Sequence, residues 1–303
     1  MRGTIRACEN VSFKVSKGEA LGLAGESGCG KTTVAYSILR LLPPNATVKG
    51  KVIFKGRDIY ELPEDVLRKE VRWKGISIVF QGAMNALNPV LKIGDQIVEA
   101  ILAHEETSPE EARERACRLF ELVGIDPDRI DNYPHEFSGG MKQRAMIAMA
   151  LACNPDLLIA DEPTTGLDII VQAQILELLR NLKERLQISY IVISHDLSVI
   201  SEICDTVAIM YAGKIVEYGP AIAVYKRSVH PYTRGLLSAF PSIKAPKGER
   251  LRYIPGAPPN LLNPPPGCRF WPRCKLATDK CRREEPPLVE IEPNHWIACH
   301  LAI

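Results

Sequence analysis

The sequence predicts an α/β fold, a β-sheet covered by helices on both faces. Short apolar segments of strand length alternate along the chain with longer segments of helical periodicity. Such alternation indicates a sheet whose two faces are both covered by helices. Three apolar segments end in residues that bear chemistry: a glycine-rich stretch from Gly25, the carboxylates of Asp161 and Glu162, and His195. The same segments therefore predict the fold class and the candidate site.

The composition suits a globular protein with one large domain and an appendage, or two domains. The chain has 303 residues, 46% of them hydrophobic, and its formal net charge of +2 indicates no strongly charged partner. Its longest apolar run, residues 145–153, is well short of the ~18 residues that a membrane-spanning helix needs. The first residues carry no apolar signal-peptide segment. We therefore expect a cytosolic chain that reaches a membrane only through a partner.

The glycine-rich stretch is the centre of the predicted site and reads G-x-x-x-x-G-K-T. It comprises Gly25, Glu26, Ser27, Gly28, Cys29, Gly30, Lys31 and Thr32. Its glycines allow positive φ and close backbone approach, so that successive N–H groups surround a polyphosphate. Lys31 then reaches the β- and γ-phosphates, and the Thr32 hydroxyl binds Mg²⁺. An ordinary glycine-rich turn is the alternative, but a buried strand before the stretch and an apolar helix face after it favour a phosphate-binding loop.

Further strands and helices are predicted in order along the chain. Residues 4–24 are expected to form strands, because Val11, Phe13 and Val15 alternate with polar residues. The first helix is expected to run through Leu41 and Leu42 and to stop at residues 43–45. Strands are expected at residues 51–54, 75–80, 156–162 and 189–195, a helix at residues 171–186, and a hairpin at residues 208–217 around Ala212 and Gly213.

Residues 85–153 are predicted to be mainly helical. Ser108, Pro109 and Glu111 form a capping box with proline at the first helical position. The apolar face of this helix comprises Ala112, Ala116, Leu119, Phe120 and Val123, and Gly124 ends it. The next helix is predicted to begin at Ser138, Gly139 and Gly140. Its exposed N–H groups make its N-terminus a second anion-binding site. Because one chain has no evident second phosphate, this end suggests a dimer in which it faces the other subunit's nucleotide, with a flexible turn as the alternative.

Asp161 and Glu162 form the second part of the predicted site. At the end of a strand, Asp161 can meet Mg²⁺ through water, and Glu162 beside it can polarise the water that attacks the γ-phosphate. An ion pair or a cap at a strand end is the alternative for a lone Asp-Glu pair. The phosphate loop upstream and residues 163–168 downstream favour the catalytic interpretation.

Together these motifs resemble the ATP-binding-cassette family in order and spacing over residues 4–220. The matching segments are Walker A at residues 25–32, the Q-loop glutamine Gln81, the signature at residues 138–143, Walker B at residues 157–161 with Glu162, the D-loop with Asp168, and the switch histidine His195. The resemblance implies a P-loop NTPase core of the RecA-like type. It also implies a β-subdomain and a helical subdomain at about residues 85–153.

The resemblance further implies a role for each residue. ATP is expected to contact the eight residues of the loop together with Thr33, Gln81, Asp168 and, from the other subunit, Ser138, Gly139 and Gly140. Thr32, Gln81 and Asp161 are the expected ligands of Mg²⁺. Glu162 and His195 are the expected catalytic residues, with His195 contacting the γ-phosphate. Taken alone, His195 is more typical of a buried core histidine.

Two features differ from the usual family pattern. Phe137 stands where the family usually has leucine, while Met141 and Lys142 before Gln143 are like the peptide-importer branch. The family usually has an adenine-stacking aromatic residue before a stretch like residues 3–11, and here no aromatic residue precedes Phe13. The sequence leaves open whether the start is truncated or adenine is held in another way.

The composition changes after about residue 230. Thirteen of the 23 prolines lie from Pro231 onward, which disfavours regular helices and sheets. We predict an ATPase domain at residues 1–230 and a loop-rich extension at residues 231–303. Residues 230–237, 254–256 and 267–274 resemble the C-terminal extension of oligopeptide and dipeptide importer ATPases.

Four of the nine cysteines lie in this tail, at Cys268, Cys274, Cys281 and Cys299. In a cytosolic chain they suggest a metal site rather than disulfides. The resemblance implies a 4Fe–4S cluster, but the spacing alone does not separate it from zinc, and ordinary buried cysteines are the alternative. His295 and His300 are less favoured substitute ligands. Because the phosphate loop lies in the other domain, we expect ATP binding to be independent of these cysteines.

These residues predict the ATPase subunit of an importer of oligopeptides or dipeptides. The expected reaction is attack of water on the γ-phosphate of ATP. The expected partners are a second ATPase subunit, identical or homologous, two membrane permease subunits and, indirectly, an extracytoplasmic substrate-binding protein. The expected location is the cytoplasmic face of the membrane, and no nucleic acid is expected as a partner.

Three other functions are weighed against this one. An oligosaccharide importer shares the subtype. A soluble cassette ATPase acting on nucleic acid or ribosomes is disfavoured, because residues 244–303 hold ten Lys and Arg against six Asp and Glu, a net +4 that is mild for such a role. A non-catalytic regulatory cassette is disfavoured by the presence of Glu162 and His195.

Overall fold

The structure, a computed structural model, describes residues 3–82, 86–239 and 253–302. Its strands are β1 (Ala20–Ala24), β2 (Ile53–Phe54), β3 (Arg57–Asp58), β4 (Ile76–Val79), β5 (Leu157–Asp161), β6 (Ser189–Ser194), β7 (Thr206–Tyr211), β8 (Lys214–Pro220), β9 (Val289–Glu292) and β10 (His295–Ile297). Residue 85, where the helical segment was predicted to begin, and residues 240–252 of the tail lie outside the described residues.

The α-helices alternate with these strands through most of the chain. They are α1 (Lys31–Ile38), α2 (Glu64–Val66), α3 (Ile93–His104), α4 (Pro109–Leu122), α5 (Gly139–Ala150), α6 (Ile169–Leu186), α7 (Leu197–Ile203), α8 (Ala221–Arg227), α9 (Pro231–Ser238) and α10 (Asp279–Arg283). Among the helices of the described residues, none combines the length and the apolar character that crossing a membrane requires.

The chain divides into two compact units. The first comprises Met1–Lys14, Leu21–Val34 and Ser194–Ile303, and the second comprises Val15–Ala20 and Ala35–Ile193. The boundary predicted near residue 230 on composition stays a prediction.

The first unit contains strands in the order β1-β7-β8-β10-β9. β1 and β7 are parallel, whereas the pairs β7–β8, β8–β10 and β10–β9 are antiparallel. Every residue of β1 is buried, and a Cβ on Gly22 would collide with the Ile200 side chain, so α7 packs directly on this strand. The predicted hairpin is confirmed, since Ala212 and Gly213 have φ of 47° and 83°, as a two-residue type I′ turn needs.

The second unit contains the parallel strands β4-β5-β6 with β5 between its neighbours. The helical segment after β4 is confirmed as α3, α4 and α5. The capping box of α4 is formed as predicted: Ser108 Oγ accepts from Glu111 N at 3.2 Å, and Glu111 Oε2 accepts from Ser108 N at 3.2 Å. Its five predicted apolar residues are all buried, and Gly124 follows with φ of 73°.

Two predictions near the N-terminus are wrong. Residues 4–19 form no strand in the described part of the chain. Exposure does alternate there, but the segment makes isolated backbone bonds such as Glu9 N to Gly213 O at 2.8 Å instead of a ladder. The first helix ends at Ile38 rather than near residue 42, because Arg40 adopts φ of 54° and Leu41 N turns back to Tyr36 O at 2.8 Å.

The expectation that the tail disfavours regular elements is wrong for part of it. α9 begins at Pro231, a position where proline costs no hydrogen bond, and the His230 side chain accepts from Tyr232 N at 3.1 Å. β9 and β10 form a hairpin whose β10 extends the sheet at β8. This hairpin of the tail is therefore stabilised by pairing with β8, and composition alone does not predict that pairing.

Candidate functional site

The three glycines of the phosphate loop in the first unit all have positive φ. Gly25 and Gly30 have φ of 150° and 106°, and Gly28 has φ of 78°. A Cβ on Gly25 would collide with Met210 O, and one on Gly30 would lie 2.5 Å from Ala7 O. Gly25 and Gly30 are therefore required both by positive φ and by close backbone approach, whereas Gly28 is favoured by its positive φ alone.

Lys31 lies buried within this loop. Its Nζ donates to Gly25 O at 2.7 Å and to Glu26 O at 3.2 Å. Val34 N donates to Gly30 O at 3.0 Å, so α1 begins directly from the loop, and Thr32 and Thr33 lie half-buried in its first turn. The positive end of a helix and a cation are thereby brought to one loop, an arrangement that favours an anionic ligand.

Glu26 has two further contacts that sequence reasoning missed. Its carboxylate accepts from both terminal nitrogens of Arg273, with Oε2 2.6 Å from Nη1 and Oε1 2.9 Å from Nη2. Its backbone N–H donates to the Tyr232 hydroxyl at 2.9 Å. Both partners belong to the tail, so the phosphate loop contacts a segment that composition had assigned to a separate extension. No local signal joins positions so distant in sequence.

Three predicted residues of the second unit lie at the carboxyl edge of β4 and β5. Val79 pairs with Ala160 in the parallel register, so Gln81 and Glu162 each follow two residues later at the same edge. Gln81 is exposed, whereas Asp161 is fully buried. Burial, with the Asp161 carboxylate as the second cause, raises the pKa of Tyr36.

Glu162 adopts a left-handed backbone conformation with φ of 52°. Its N–H donates to Ile193 O at 2.9 Å, which keeps its backbone on β6, and its Oε2 accepts from the Thr165 hydroxyl at 2.9 Å. Such conformations are uncommon for residues other than glycine and cluster at functional sites. The backbone thus turns at the residue predicted to be the catalytic base.

Two predicted nucleotide contacts are helix caps in this structure. Ser138 Oγ accepts from Met141 N at 3.3 Å at the start of α5, and Asp168 accepts from Val171 N at 3.0 Å at the start of α6. Ser138 and Gly139 are exposed. A Cβ on Gly140 would lie 2.6 Å from Val171 Cγ1, so this glycine lets α5 and α6 approach closely. Contact of these residues with another subunit's nucleotide stays a prediction.

His195 follows β6 directly and is exposed, so the alternative of a buried core histidine is wrong. The neighbouring Asp196 caps α7 by accepting from Ser198 N at 2.8 Å. His195 is therefore accessible for the predicted contact with a γ-phosphate.

The four tail cysteines are at least half-buried. Burial raises the pKa of Cys268 to about 11, with smaller raising contributions from Cys281, Cys299 and Cys274. Backbone N–H groups of Phe270, Leu276 and Leu301 act in the opposite direction and lower the pKa of Cys268, Cys274 and Cys299, respectively.

The predicted metal site is not confirmed. Within residues 3–82, 86–239 and 253–302, no group of three or more His, Cys, Asp or Glu side chains is arranged to hold a metal ion. The donor type still suits a soft metal, because cysteine sulfur is the ligand that zinc and iron–sulfur clusters take. The substitute ligands are engaged elsewhere: His295 Nε2 lies 2.9 Å from Glu217 Oε1, and His300 Nε2 lies 2.9 Å from Glu284 O.

Comparison with known proteins assigns the family. A family model described as ABC transporter matches residues 8–165, more than half of the chain. The chain belongs to the ABC transporter family. A second model, described as the C-terminal region of oligopeptide/dipeptide transporters, matches residues 216–281.

Three relatives of known family are similar in sequence to nearly the whole length of this chain. The chain is 51% identical over 298 residues to a probable peptide ABC transporter ATP-binding protein of Sinorhizobium fredii, covering 97% of this chain and 89% of the relative. It is 47% identical over 299 residues to the oligopeptide transport ATP-binding protein OppD of Escherichia coli, covering 98% and 88%. It is 45% identical over 303 residues to the dipeptide transport ATP-binding protein DppD of Bacillus subtilis, covering 99% and 90%.

Solved structures show the same fold. The ATP-binding cassette MJ0796, in a dimeric post-hydrolysis state bound to ADP and phosphate, is 30% identical, with a TM-score of 0.62 over 71% of this chain and 90% of the cassette. The cbiO1 structure from Clostridium perfringens, part of the ABC transporter complex cbiONQ, is 27% identical, with a TM-score of 0.64 over 73% of this chain and 84% of its own. The P-loop ABC ATPase fold predicted from the motifs is confirmed, with a mixed sheet.

Proposed function

We propose that this chain is the ATP-hydrolysing subunit of an importer of oligopeptides or dipeptides. The observation that carries the substrate class is the pairing of two family matches in one chain, an ABC transporter match and a match to the C-terminal region of oligopeptide/dipeptide transporters. The peptide-transport names of relatives that span nearly the whole chain support it. An oligosaccharide importer of the same subtype is the alternative substrate class.

In this proposal the phosphate loop and Lys31 hold the triphosphate of ATP, and Glu162 takes the proton of the attacking water. Thr32, Gln81 and Asp161 would supply the oxygen ligands that Mg²⁺ prefers, and the ion would neutralise phosphate charge there. The exposed His195 contacts the γ-phosphate. The loop residues with Thr33 and Asp168 complete the ATP contacts, and Ser138, Gly139 and Gly140 contact the ATP of a second subunit.

The proposed assembly has two ATPase subunits, identical or homologous, on two membrane permease subunits, with a substrate-binding protein acting from outside. The position is peripheral, at the cytoplasmic side of the membrane. Residues 1–230 are proposed as the ATPase domain, with its helical subdomain at about residues 85–153. Residues 231–303 are proposed as the extension of the peptide-importer type.

Within that extension, Cys268, Cys274, Cys281 and Cys299 are proposed to bind a 4Fe–4S cluster, with zinc as the alternative. The support is the soft-metal donor chemistry of four cysteines in one segment, together with the match of residues 216–281 to the C-terminal region of oligopeptide/dipeptide transporters. Four thiolates close three loops of the chain, which gives a loop-rich segment a fixed shape.

Peptide uptake by the source organism tests the proposal. A strain lacking this chain should lose uptake of labelled di- and oligopeptides, and the wild-type chain should restore it while Glu162→Gln does not. Oligosaccharide uptake measured in the same strains separates the two substrate classes. Unchanged peptide uptake in the deletion strain would contradict the proposed substrate.

A further inference from the structure

The contact between Arg273 and Glu26 places a tail residue on the phosphate loop. Arg273 is 8% exposed, and its guanidinium takes both oxygens of the Glu26 carboxylate. Its Nε donates to Pro255 O at 2.8 Å, and the guanidinium lies 5.7 Å from the centre of the Tyr211 ring. The guanidinium is thus held by hydrogen bonds at Nε, Nη1 and Nη2 and by the Tyr211 ring. Such a fixed arginine can orient its carboxylate partner.

Glu26 is also tied to the lysine of the loop. Its backbone carbonyl accepts from Lys31 Nζ, and its backbone N–H donates to Tyr232, whose ring is fully buried against Tyr211 and Phe270. The conformation at Glu26 therefore sets one of the two carbonyls on which the Lys31 ammonium rests. A shift at Glu26 moves the cation that meets the phosphates.

The charge of Glu26 opposes nucleotide binding unless it is neutralised. Its carboxylate is largely buried in a loop of the kind that binds polyphosphate, and like charges in such a site repel strongly. Hydrogen bonding to Glu26 raises the pKa of Arg273, so the arginine stays charged. The two hydrogen bonds from Arg273 neutralise the charge of the Glu26 carboxylate. They also fix the carboxylate in one orientation.

We propose that Arg273 is a positioning residue for nucleotide binding, which neutralises Glu26 and holds the phosphate loop in its binding conformation. This inference rests on the proposed function, because it concerns the ATP that the loop is proposed to hold. It makes the tail part of the nucleotide site through a single ion pair.

The test is the affinity of the full-length chain for a non-hydrolysable ATP analogue with Mg²⁺, measured by equilibrium titration. Arg273→Ala should raise the Kd about tenfold, because it leaves a largely buried carboxylate unpaired in the loop that is proposed to hold the phosphates. Adding Glu26→Gln to that variant should bring the Kd back to within about threefold of wild type, because the uncompensated charge is gone. In ATPase assays, Arg273→Ala should raise the KM for ATP and leave kcat within about twofold.

Arg115→Ala is the matched control, since Arg115 pairs at 2.7 Å with Glu105, a carboxylate about as buried as that of Glu26, but lies outside the loop. Its Kd should match that of wild type. Arg273→Gln, uncharged and of similar length, replaces Arg273→Ala if circular dichroism shows that the alanine variant is unfolded.

Each outcome decides between the two proposals. A wild-type Kd in Arg273→Ala and Arg273→Gln overturns the inference alone. A double variant that binds as weakly as Arg273→Ala also overturns it, because neutralisation of Glu26 then plays no part. Failure of the folded wild-type chain to bind the analogue overturns the proposed function and the inference together.

Discussion

Glu162 is the proposed catalytic base, and its backbone adopts a left-handed conformation with φ of 52°. Glu162→Gln keeps the size of the side chain and removes the base, so ATP binding should persist while hydrolysis falls by about 100-fold or more. Turnover is measured by phosphate release and binding by titration with ATP. A variant that hydrolyses ATP near the parental rate would show that another group is the base.

His230 is buried and its ring nitrogen Nδ1 caps α9. Burial lowers its pKa to about 3, so the folded protein holds it neutral while the unfolded chain takes up a proton below about pH 6.5. The folded state therefore loses stability as the pH falls from about 6.5 toward 3, by about 1.4 kcal/mol per pH unit from this group, and loses none from it above pH 7.

His230→Asn keeps a capping side chain and does not titrate. Urea unfolding at a series of pH values should give a free energy of unfolding that falls less steeply below pH 6.5 in the variant than in wild type. The two curves need not coincide at pH 7, because asparagine fills less of the site. Equal slopes would mean that His230 already takes up a proton in the folded state.

At the scale of single elements, features written in contiguous residues were predicted correctly. The capping box at Ser108, the hairpin around Ala212 and Gly213, and the strand–loop–helix at Gly25 each depend on neighbours in sequence. Residues 4–19 show the opposite case, since the alternation of Val11, Phe13 and Val15 is present but a strand also needs a partner strand. The tail hairpin was missed for the converse reason, because β8 supplies its partner.

Ser108→Ala tests how much the capping box contributes to α4. It removes the hydrogen bond to Glu111 N and should lower the free energy of unfolding by about 1 kcal/mol. ATP affinity should not change, because α4 carries none of the proposed site residues. Chemical denaturation measures the effect, and Ser108→Asp is the control because aspartate restores the cap. Equal stability of the two variants would mean that the cap is not formed in solution.

At the scale of the whole molecule, the motifs of the candidate site were predictable but the bond from the tail to the phosphate loop was not. Local spacing predicts phosphate or metal roles for Gly25, Lys31, Asp161 and Glu162, because each motif has a fixed spelling, and these roles stay predictions. The ion pair between Glu26 and Arg273 joins residues 247 positions apart, and nothing in either segment points to the other. Composition predicted an ATPase domain and a separate extension because prolines and cysteines are concentrated in the tail. It does not predict which side chains are in contact.

Arg273 stands immediately before Cys274 in a short helical turn, Trp271–Arg273. Any group that holds Cys274 therefore also constrains the arginine that contacts Glu26. If the four thiolates bind a 4Fe–4S cluster, its loss should loosen this turn and weaken ATP binding through the same ion pair. Without a cluster or a metal, the turn has only its own packing to hold it.

Anaerobically purified protein is therefore expected to be brown and to contain iron and sulfide. Cys274→Ser should bleach it, increase protease cleavage within residues 260–303 and raise the Kd for ATP, because the turn that carries Arg273 is released. Cys117→Ser, at a half-buried cysteine outside the tail, is the matched control and should keep both colour and affinity. Metal analysis and visible absorption measure the cluster, and titration measures the Kd. Colourless anaerobic protein with one zinc per chain would show that the site binds zinc instead of a cluster. Protein without any metal would contradict the metal site, and Arg273 would then be positioned by the chain alone.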